Sequence, residues 1–164
     1  MTRKDDNQDG LVTAADVVIR RGRLDDIVDL RAIECSVFDF EQLTTRAFRR
    51  YLGLAGADLL VATWRETVVG YGLASYRRGS RRGYVSSIAV ATRATGRGIG
   101  MRLLEALRTE ALARGMVALR LEVRRDNLAA QRLYERAGYA VIGERPGYYA
   151  DFCDAIVMEA PLAE

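Results

Sequence analysis

Histidine does not occur in this chain of 164 residues, and lysine occurs once, at Lys4. The first absence excludes Ser-His-Asp and Cys-His nucleophilic sites, His-ligated zinc and HExxH peptidase chemistry. Acid–base work falls to carboxylates, tyrosines, a cysteine or the lone lysine. There are two cysteines, Cys35 and Cys153, far apart and in no metal-ligand spacing. They point to a reducing compartment, with no disulfide framework and no metal site. The two prolines, Pro146 and Pro161, mark no linker that would divide the chain. No apolar run approaches about 18 residues, so no segment is expected to span a membrane. The first ten residues are polar, carry Asp5, Asp6 and Asp9, and contain no apolar core of a signal peptide. These features predict a cytoplasmic protein, with a disordered arm over residues 1–15 and a single domain over 16–164.

What is present describes a globular domain: 49% hydrophobic and 29% charged residues. The net charge is +3, and almost all of the positive charge is arginine. The arginines are scattered and balanced by acids, as a GC-rich genome would produce. A nucleic-acid partner is therefore not expected, since such binders gather their charge into a patch or tail.

Apolar spacing places the elements. A strand is read at Val17 to Arg20, and a helix from Leu24 to Val37 with Ile27, Leu30, Ile33 and Val37 inward. Thr44 or Thr45 caps a short helix through Phe48 and Leu52. Leu59 to Trp64 and Val68 to Tyr76 form a hairpin about Arg65-Glu66-Thr67, and Tyr84 to Val90 is the next strand. A glycine-rich segment, Gly96 to Gly100, opens a helix from Ile99 to Arg114 that stops at Gly115. A strand follows at Val117 to Val123. Asp126-Asn127 caps a helix ending at Gly138, and strands at Tyr139 to Gly143 and Asp154 to Glu159 close the chain. This is an α/β pattern of the mixed α+β kind, a mixed β-sheet flanked by helices. Its central strand–glycine loop–helix–strand unit implies one parallel pair.

Three features carry chemistry. Gly96-Arg97-Gly98-Ile99-Gly100 lets backbone N–H groups converge on an anion at a helix N-terminus. It is neither a Walker loop nor a GxGxxG fingerprint, so a pyrophosphate other than that of ATP or NAD is indicated. A plain strand-to-helix connection is the alternative. In Leu119-Arg120-Leu121-Glu122-Val123-Arg124 the apolar and polar residues alternate, so Glu122 points away from Leu121 and Val123. It is either a functional carboxylate or a solvated one paired with arginine. Tyr134 is either a reactive phenol or a core aromatic, and Asn127 is at least an N-cap.

Together, Ser87-Ile88-Ala89-Val90, the glycine loop, Leu121 to Arg124, Asn127 and Leu133-Tyr134-Glu135-Arg136-Ala137-Gly138-Tyr139 resemble the GNAT superfamily of acetyl-CoA-dependent N-acetyltransferases. The RimI branch, which acetylates the N-termini of ribosomal proteins, is the more similar part of it. The tail from Tyr148 to Met158 resembles the YY…DA…M ending of N-terminal acetyltransferases. The resemblance covers Val17 to Glu159 and is specific from Ser87 onward.

The resemblance implies a GNAT fold, with a mostly antiparallel sheet of about seven strands and about four helices. It implies that the backbone of Ile88, Ala89 and Val90 pairs with the pantetheine arm of acetyl-CoA, and that the Val90 amide polarises the thioester carbonyl. It places the pyrophosphate on Gly96, Arg97, Gly98, Ile99, Gly100 and Met101, and a further cofactor contact on Asn127. Glu122 matches the general base, and Tyr134 the acid that protonates the thiolate. Tyr148 and Tyr149 line the acceptor site. No metal takes part. Thr95 departs from the family's usual Arg or Gln, so a phosphate contact is either lost or moved to Arg93 or Arg97, and Thr92 replaces a common proline. The segment Phe38 to Leu43 departs from the usual RimI acceptor loop.

An amine attacks a thioester only when neutral. An α-amine of pKa ~7.7–8.0 is roughly 10–20% neutral at pH 7, whereas a lysine amine of pKa ~10.4 is below about 0.1%. The expected acceptor is the N-terminus of a protein or peptide, a ribosomal protein among them, taken by a monomer or homodimer. The alternatives are a small amine or a lysine side chain, a non-catalytic acyl-CoA sensor, and an arginine-rich nucleic-acid binder with steeply salt-dependent affinity.

Overall fold

The computed structural model describes residues 12–162. A single seven-stranded sheet in the order β1-β2-β3-β4-β5-β7-β6 forms its centre. The strands are β1 (Val18–Arg21), β2 (Ala57–Trp64), β3 (Thr67–Tyr76), β4 (Arg82–Val90), β5 (Ala118–Arg124), β6 (Ala140–Arg145) and β7 (Ala155–Pro161). The helices are α1 (Ile27–Val37), α2 (Thr45–Leu52), α3 (Ile99–Ala113) and α4 (Leu128–Arg136). All strand pairs are antiparallel except β4–β5, the pair joined through α3.

Two apolar layers form, one on each side of the sheet. On one side α3 and Tyr134 pack on Leu60, Val69, Val85, Leu119, Leu121, Val123, Ile156 and Met158. On the other, α1 and α2 pack on Leu59, Val61, Tyr71, Leu73 and Ala89 through Ile27, Leu30, Ile33 and Phe48. The close seat of α3 depends on small residues beneath it: a Cβ at Gly72 would meet Leu107 Cδ1 at 2.9 Å. The hairpin turn at Arg65 and Glu66 is made by two non-glycine residues with positive φ, 48° and 65°. That matches the twist of the flanking strands.

Three expectations need correction. Residues 12–15 of the expected arm belong to the fold. Val12 is buried in the α3-side core, and Ala14–Asp16 form a 3-10 turn. Arg102 fastens this segment by donating to the carbonyls of Ala14 and Val17; residues 1–11 of the expected arm, including its three aspartates, lie outside the described residues. In α1 the inward stripe ends at Glu34, which is 1% exposed, and Val37 faces outward at 39%. The helix terminates at Val37, so no further turn holds that residue against the sheet. Finally, the first turn of the expected helix is 3-10 over Leu24–Asp26, closed by Arg23 and Asp26.

One topological feature positions the site. The β4–β5 ladder pairs only Arg82, Gly83 and Tyr84 with Ala118, Leu119 and Arg120. In β4, Leu73 pairs Ser87 and Ala74 pairs Val85, so Ser86 is an extra residue, and such a bulge bends its strand. From Val85 to Val90 the edge of β4 that faces β5 has no strand partner. The two parallel strands therefore part into a wedge.

Candidate active site

The wedge presents backbone, and the ladder's parity says which groups. Tyr71 pairs Ala89 and Gly70 pairs Val90, while the Ala91 amide reaches across to the Val69 carbonyl at 2.8 Å. That bond makes Gly70–Val90 a non-hydrogen-bonded pair of the β3–β4 ladder. The N–H and C=O of Val90, and by alternation those of Ile88, thus point into the wedge. Those of Ala89 are committed to Tyr71. Of the three strand residues singled out, two offer backbone groups to a ligand and the third does not.

The glycine loop lies at the N-terminus of the 15-residue α3. Gly98 is its N-cap in the left-handed region, φ 77°, and Gly96 has φ 74°. The first intrahelical bond runs from Arg102 to Gly98, which leaves the amides of Ile99, Gly100 and Met101 free of intrahelical partners. The Ile99 side chain is core at 1% exposure, so it contributes backbone only. Gly100 has a different reason to be small: a Cβ there would meet Leu133 Cδ2 at 3.0 Å. It seats α3 against α4. Thr95 turns its hydroxyl back onto the Thr92 carbonyl at 2.9 Å, closing its own turn. Arg97 has a buried Nε without a hydrogen-bond partner among the described residues. An orphaned cationic donor beside three free amides fits an anionic ligand such as a pyrophosphate.

Glu122 sits in β5 with its side chain 22% exposed. The alternation read from the sequence holds: Leu119, Leu121 and Val123 are buried, and Arg120, Glu122 and Arg124 are half-buried on the opposite face. Arg145 of β6 donates from Nε to Glu122 Oε1 at 3.1 Å. Oε2 has no partner among the described residues, so the carboxylate is both ion-paired and half available. Tyr134, in α4, is 8% exposed and packs on Tyr139 with ring centroids 5.9 Å apart. Burial pushes its phenol well above the ordinary tyrosine value, with Tyr139 and Tyr149 adding to the shift. The core around it makes it a weaker acid than a solvated phenol. Asn127 accepts the Ala130 amide on Oδ1 at 3.1 Å and caps α4. Its Nδ2 has no partner among the described residues.

The segment between β6 and β7 forms a strap. Tyr148 and Tyr149 stack edge to face at 5.1 Å, with Arg145 over the first ring and Arg124 over the second. Tyr149 is half-buried, and its phenol is pushed up to about 12, first by burial and then by Tyr148 and Glu122. Both phenols keep their protons at neutral pH. Arg124 holds the strap through Asp151 at 2.6 Å. Across the mouth, the Ala150 amide donates to Glu41 Oε1 at 2.9 Å. That bond ties the strap to the segment between α1 and α2, a link no local pattern foretold. Glu41 itself has φ 57°, a strained conformation for a non-glycine residue. Glu122 and Tyr148 both act on the Tyr149 phenol, and Tyr149 acts on that of Tyr134, so these four side chains are neighbours.

The sheet thus parts at its single parallel pair, and the glycine loop opens the helix that joins that pair. The model of the acetyltransferase (GNAT) family matches residues 24–139, and the chain belongs to that family. It is an N-acetyltransferase. It is 32% identical over 158 residues to an N-alpha-acetyltransferase of Saccharolobus solfataricus, covering 90% of this chain and 94% of the relative. It is 44% identical over 70 residues to the [ribosomal protein bS18]-alanine N-acetyltransferase of Salmonella typhimurium, covering 41% and 47% of the two chains. Its fold matches the crystal structure of the ribosomal-protein-S18-alanine N-acetyltransferase from Escherichia coli with a TM-score of 0.81 at 26% identity, over 90% of this chain and 95% of that one. It matches Ard1 from Thermoplasma volcanium equally, with a TM-score of 0.81 at 27% identity, over 91% and 99%. No helix among the described residues is long and apolar enough to cross a membrane.

Proposed function

We propose that this protein transfers the acetyl group of acetyl-CoA to the N-terminal α-amine of a protein or peptide. One observation carries the reading: Glu122, with a free carboxylate oxygen, stands at the mouth of a wedge into which the Val90 amide points, beneath a strap bearing Tyr148 and Tyr149. The names of the Saccharolobus and Salmonella relatives support the same acceptor class.

The residues divide the work as follows. The free amides of Ile99, Gly100 and Met101, with Arg97, hold the pyrophosphate of acetyl-CoA. Ile88 and Val90 pair with its pantetheine arm. Asn127 Nδ2 is left to contact the cofactor beside α4. The acceptor enters as an ammonium between Tyr148, Tyr149 and Glu41, whose hydroxyls and carboxylate are suited to a cationic amine and its following peptide units. Glu122 Oε2 takes a proton from the amine, directly or through a water. The neutral nitrogen attacks the thioester carbon and a C–N bond forms. The carbonyl electrons move to oxygen, where the Val90 N–H stabilises the charge. The oxyanion collapses, the C–S bond breaks and the sulfur leaves with its electron pair. Tyr134 donates its hydroxyl hydrogen bond to that thiolate. With its acidity lowered by burial it serves as a stabilising donor. The nitrogen, cationic since the attack, gives up its second proton on becoming an amide, that proton passes to the sulfur through water, and Glu122 returns the first proton to solvent.

A ribosomal protein is one acceptor of this class. Cytoplasmic location and a monomeric or dimeric state complete the proposal. The test has two parts. Acetyl-CoA at 100 times its Kd should stabilise the fold by about 2.7 kcal/mol, and an unmoved melting curve would overturn the cofactor assignment. A peptide with a free N-terminal Ala or Ser should show kcat/KM at least tenfold above its N-capped, lysine-bearing counterpart. Equal rates on the two, or a preference for spermidine, would move the protein to the small-amine or lysine branch.

A further inference from the structure

Glu34 is a carboxylate at 1% exposure in the α1–sheet core, and none of the ion pairs among the described residues includes it. A carboxyl group taken out of water without a cation beside it is costly, and an apolar residue would pack there more favourably. What it holds explains its place. Glu34 Oε2 accepts the amide of Leu43 at 2.7 Å. Glu34 Oε1 accepts the hydroxyl of Tyr71, which lies 2.8 Å from Ser87 Oγ. Ser87 precedes Ile88, whose backbone faces the wedge. Leu43 ends the segment between α1 and α2 that carries Glu41. The Leu43 carbonyl accepts from Arg31, and Gln42 Nε2 reaches the Phe38 carbonyl at 2.7 Å. Glu41 in turn holds the Tyr148–Tyr149 strap through Ala150. One continuous line of hydrogen bonds and short chain segments runs from the β4 edge through Tyr71 and Glu34 to both walls of the acceptor mouth.

We infer that Glu34 is a positioning residue for the acceptor: through Leu43 on one side and Tyr71–Ser87 on the other, it sets the acceptor loop in register with the strand that receives the thioester. The inference rests on the acceptor reading above. It gives the segment that departs from the RimI pattern a buried anchor at its Leu43 end. It also explains why Tyr71, fully buried, is a tyrosine. Its ring already packs edge to face on Phe48 at 5.4 Å, so a phenylalanine would fill the space as well. The hydroxyl is there for the link.

Tyr71→Phe removes the link and keeps the ring. Glu34→Gln keeps an oxygen for the Leu43 amide, whereas Glu34→Leu keeps nothing. The account predicts that Tyr71→Phe raises the peptide KM about tenfold, the order of one lost buried hydrogen bond to Glu34, and that Glu34→Leu, which loses two, raises it at least as much. The acetyl-CoA KM should stay within about twofold. Glu34→Gln should recover most of the loss. Independently of any acceptor, hydrogen exchange at the Leu43 amide should quicken at least tenfold in Glu34→Leu. Were Glu34→Leu to fail to fold, Tyr71→Phe and Ser87→Ala decide by the peptide KM, Ser87→Ala with a smaller effect. An unchanged peptide KM in variants that melt as cooperatively as wild type would overturn the inference. So would Leu43 exchange that does not change. A wild-type enzyme inactive on every free N-terminus would instead overturn the acceptor reading, and Leu43 exchange would still decide the role of Glu34.

Discussion

Glu122 and Arg145 meet from strands that are not neighbours, since β7 lies between β5 and β6. The side of β5 on which Glu122 lies was legible, because alternation in Leu119 to Arg124 leaves no choice. Its partner was not, because Arg145 reaches it from 23 positions away. Replacing Glu122 with Gln keeps the shape and the acceptor oxygen for Arg145 but cannot take a proton. The expected outcome is a fall in kcat of roughly 10²–10⁴ with acetyl-CoA binding unchanged. A full-rate Glu122→Gln enzyme would reduce Glu122 to a structural carboxylate. Tyr134→Phe removes a donor and little volume. Its kcat should fall by about tenfold or more, the order expected for one hydrogen bond to a charged oxygen or sulfur, with the melting temperature little changed. An unchanged kcat would show that thiolate stabilisation is not its task or does not limit turnover.

The element that most rewards comparison is the glycine loop with its helix. From the sequence, Gly96, Gly98 and Gly100 form one motif with one purpose; in the fold they have two. Gly98 has positive φ and a nearest side-chain neighbour, Ala14 Cβ, 3.7 Å from where its own Cβ would lie, whereas Gly100 has negative φ and Leu133 against it. Gly98→Val should therefore weaken acetyl-CoA binding, with a backbone strain of about 1–2 kcal/mol. Gly100→Val should lower stability more, by overpacking of about 1–3 kcal/mol, even without cofactor. Paired melting curves with and without acetyl-CoA separate the two, and identical behaviour would contradict the division. The helix positions and the strand order of chemistry were readable from periodicity and caps. The wedge was not, because it depends on the bulge at Ser86 and on where one ladder stops. The fate of Val37 and Glu34 was not either. A helical stripe fixes the angle of a face but not the length over which the sheet covers it.

Across the whole molecule, the end of the sheet away from the site is fastened by Asp58. Its side chain is fully buried and accepts from Arg21 at 2.8 Å, from Arg114 at 2.9 Å and from Tyr76 at 2.9 Å, joining β1, β2, β3 and the end of α3. Burial alone would raise its carboxyl, but the bonds from Arg114, Arg21 and Tyr76 outweigh it and hold it below its usual range. The resulting stability is present above the unfolded value of about 3.9. It is lost as pH falls through the lower folded value. Asp58→Ala should cost about 3 kcal/mol at neutral pH, lowering Tm by about 10 °C, and should flatten the acid limb of the stability profile. Unaltered acid stability in that variant would contradict this. At the other end lies the proposed active site, and the central claim made for it concerns which amine is taken. One peptide bearing both a free N-terminal Ala and an internal lysine, incubated with the enzyme and acetyl-CoA and fragmented by mass spectrometry, decides it. The account predicts the acetyl group on the α-nitrogen in large excess over the lysine. Acetylation of the lysine, or of neither amine, would contradict it.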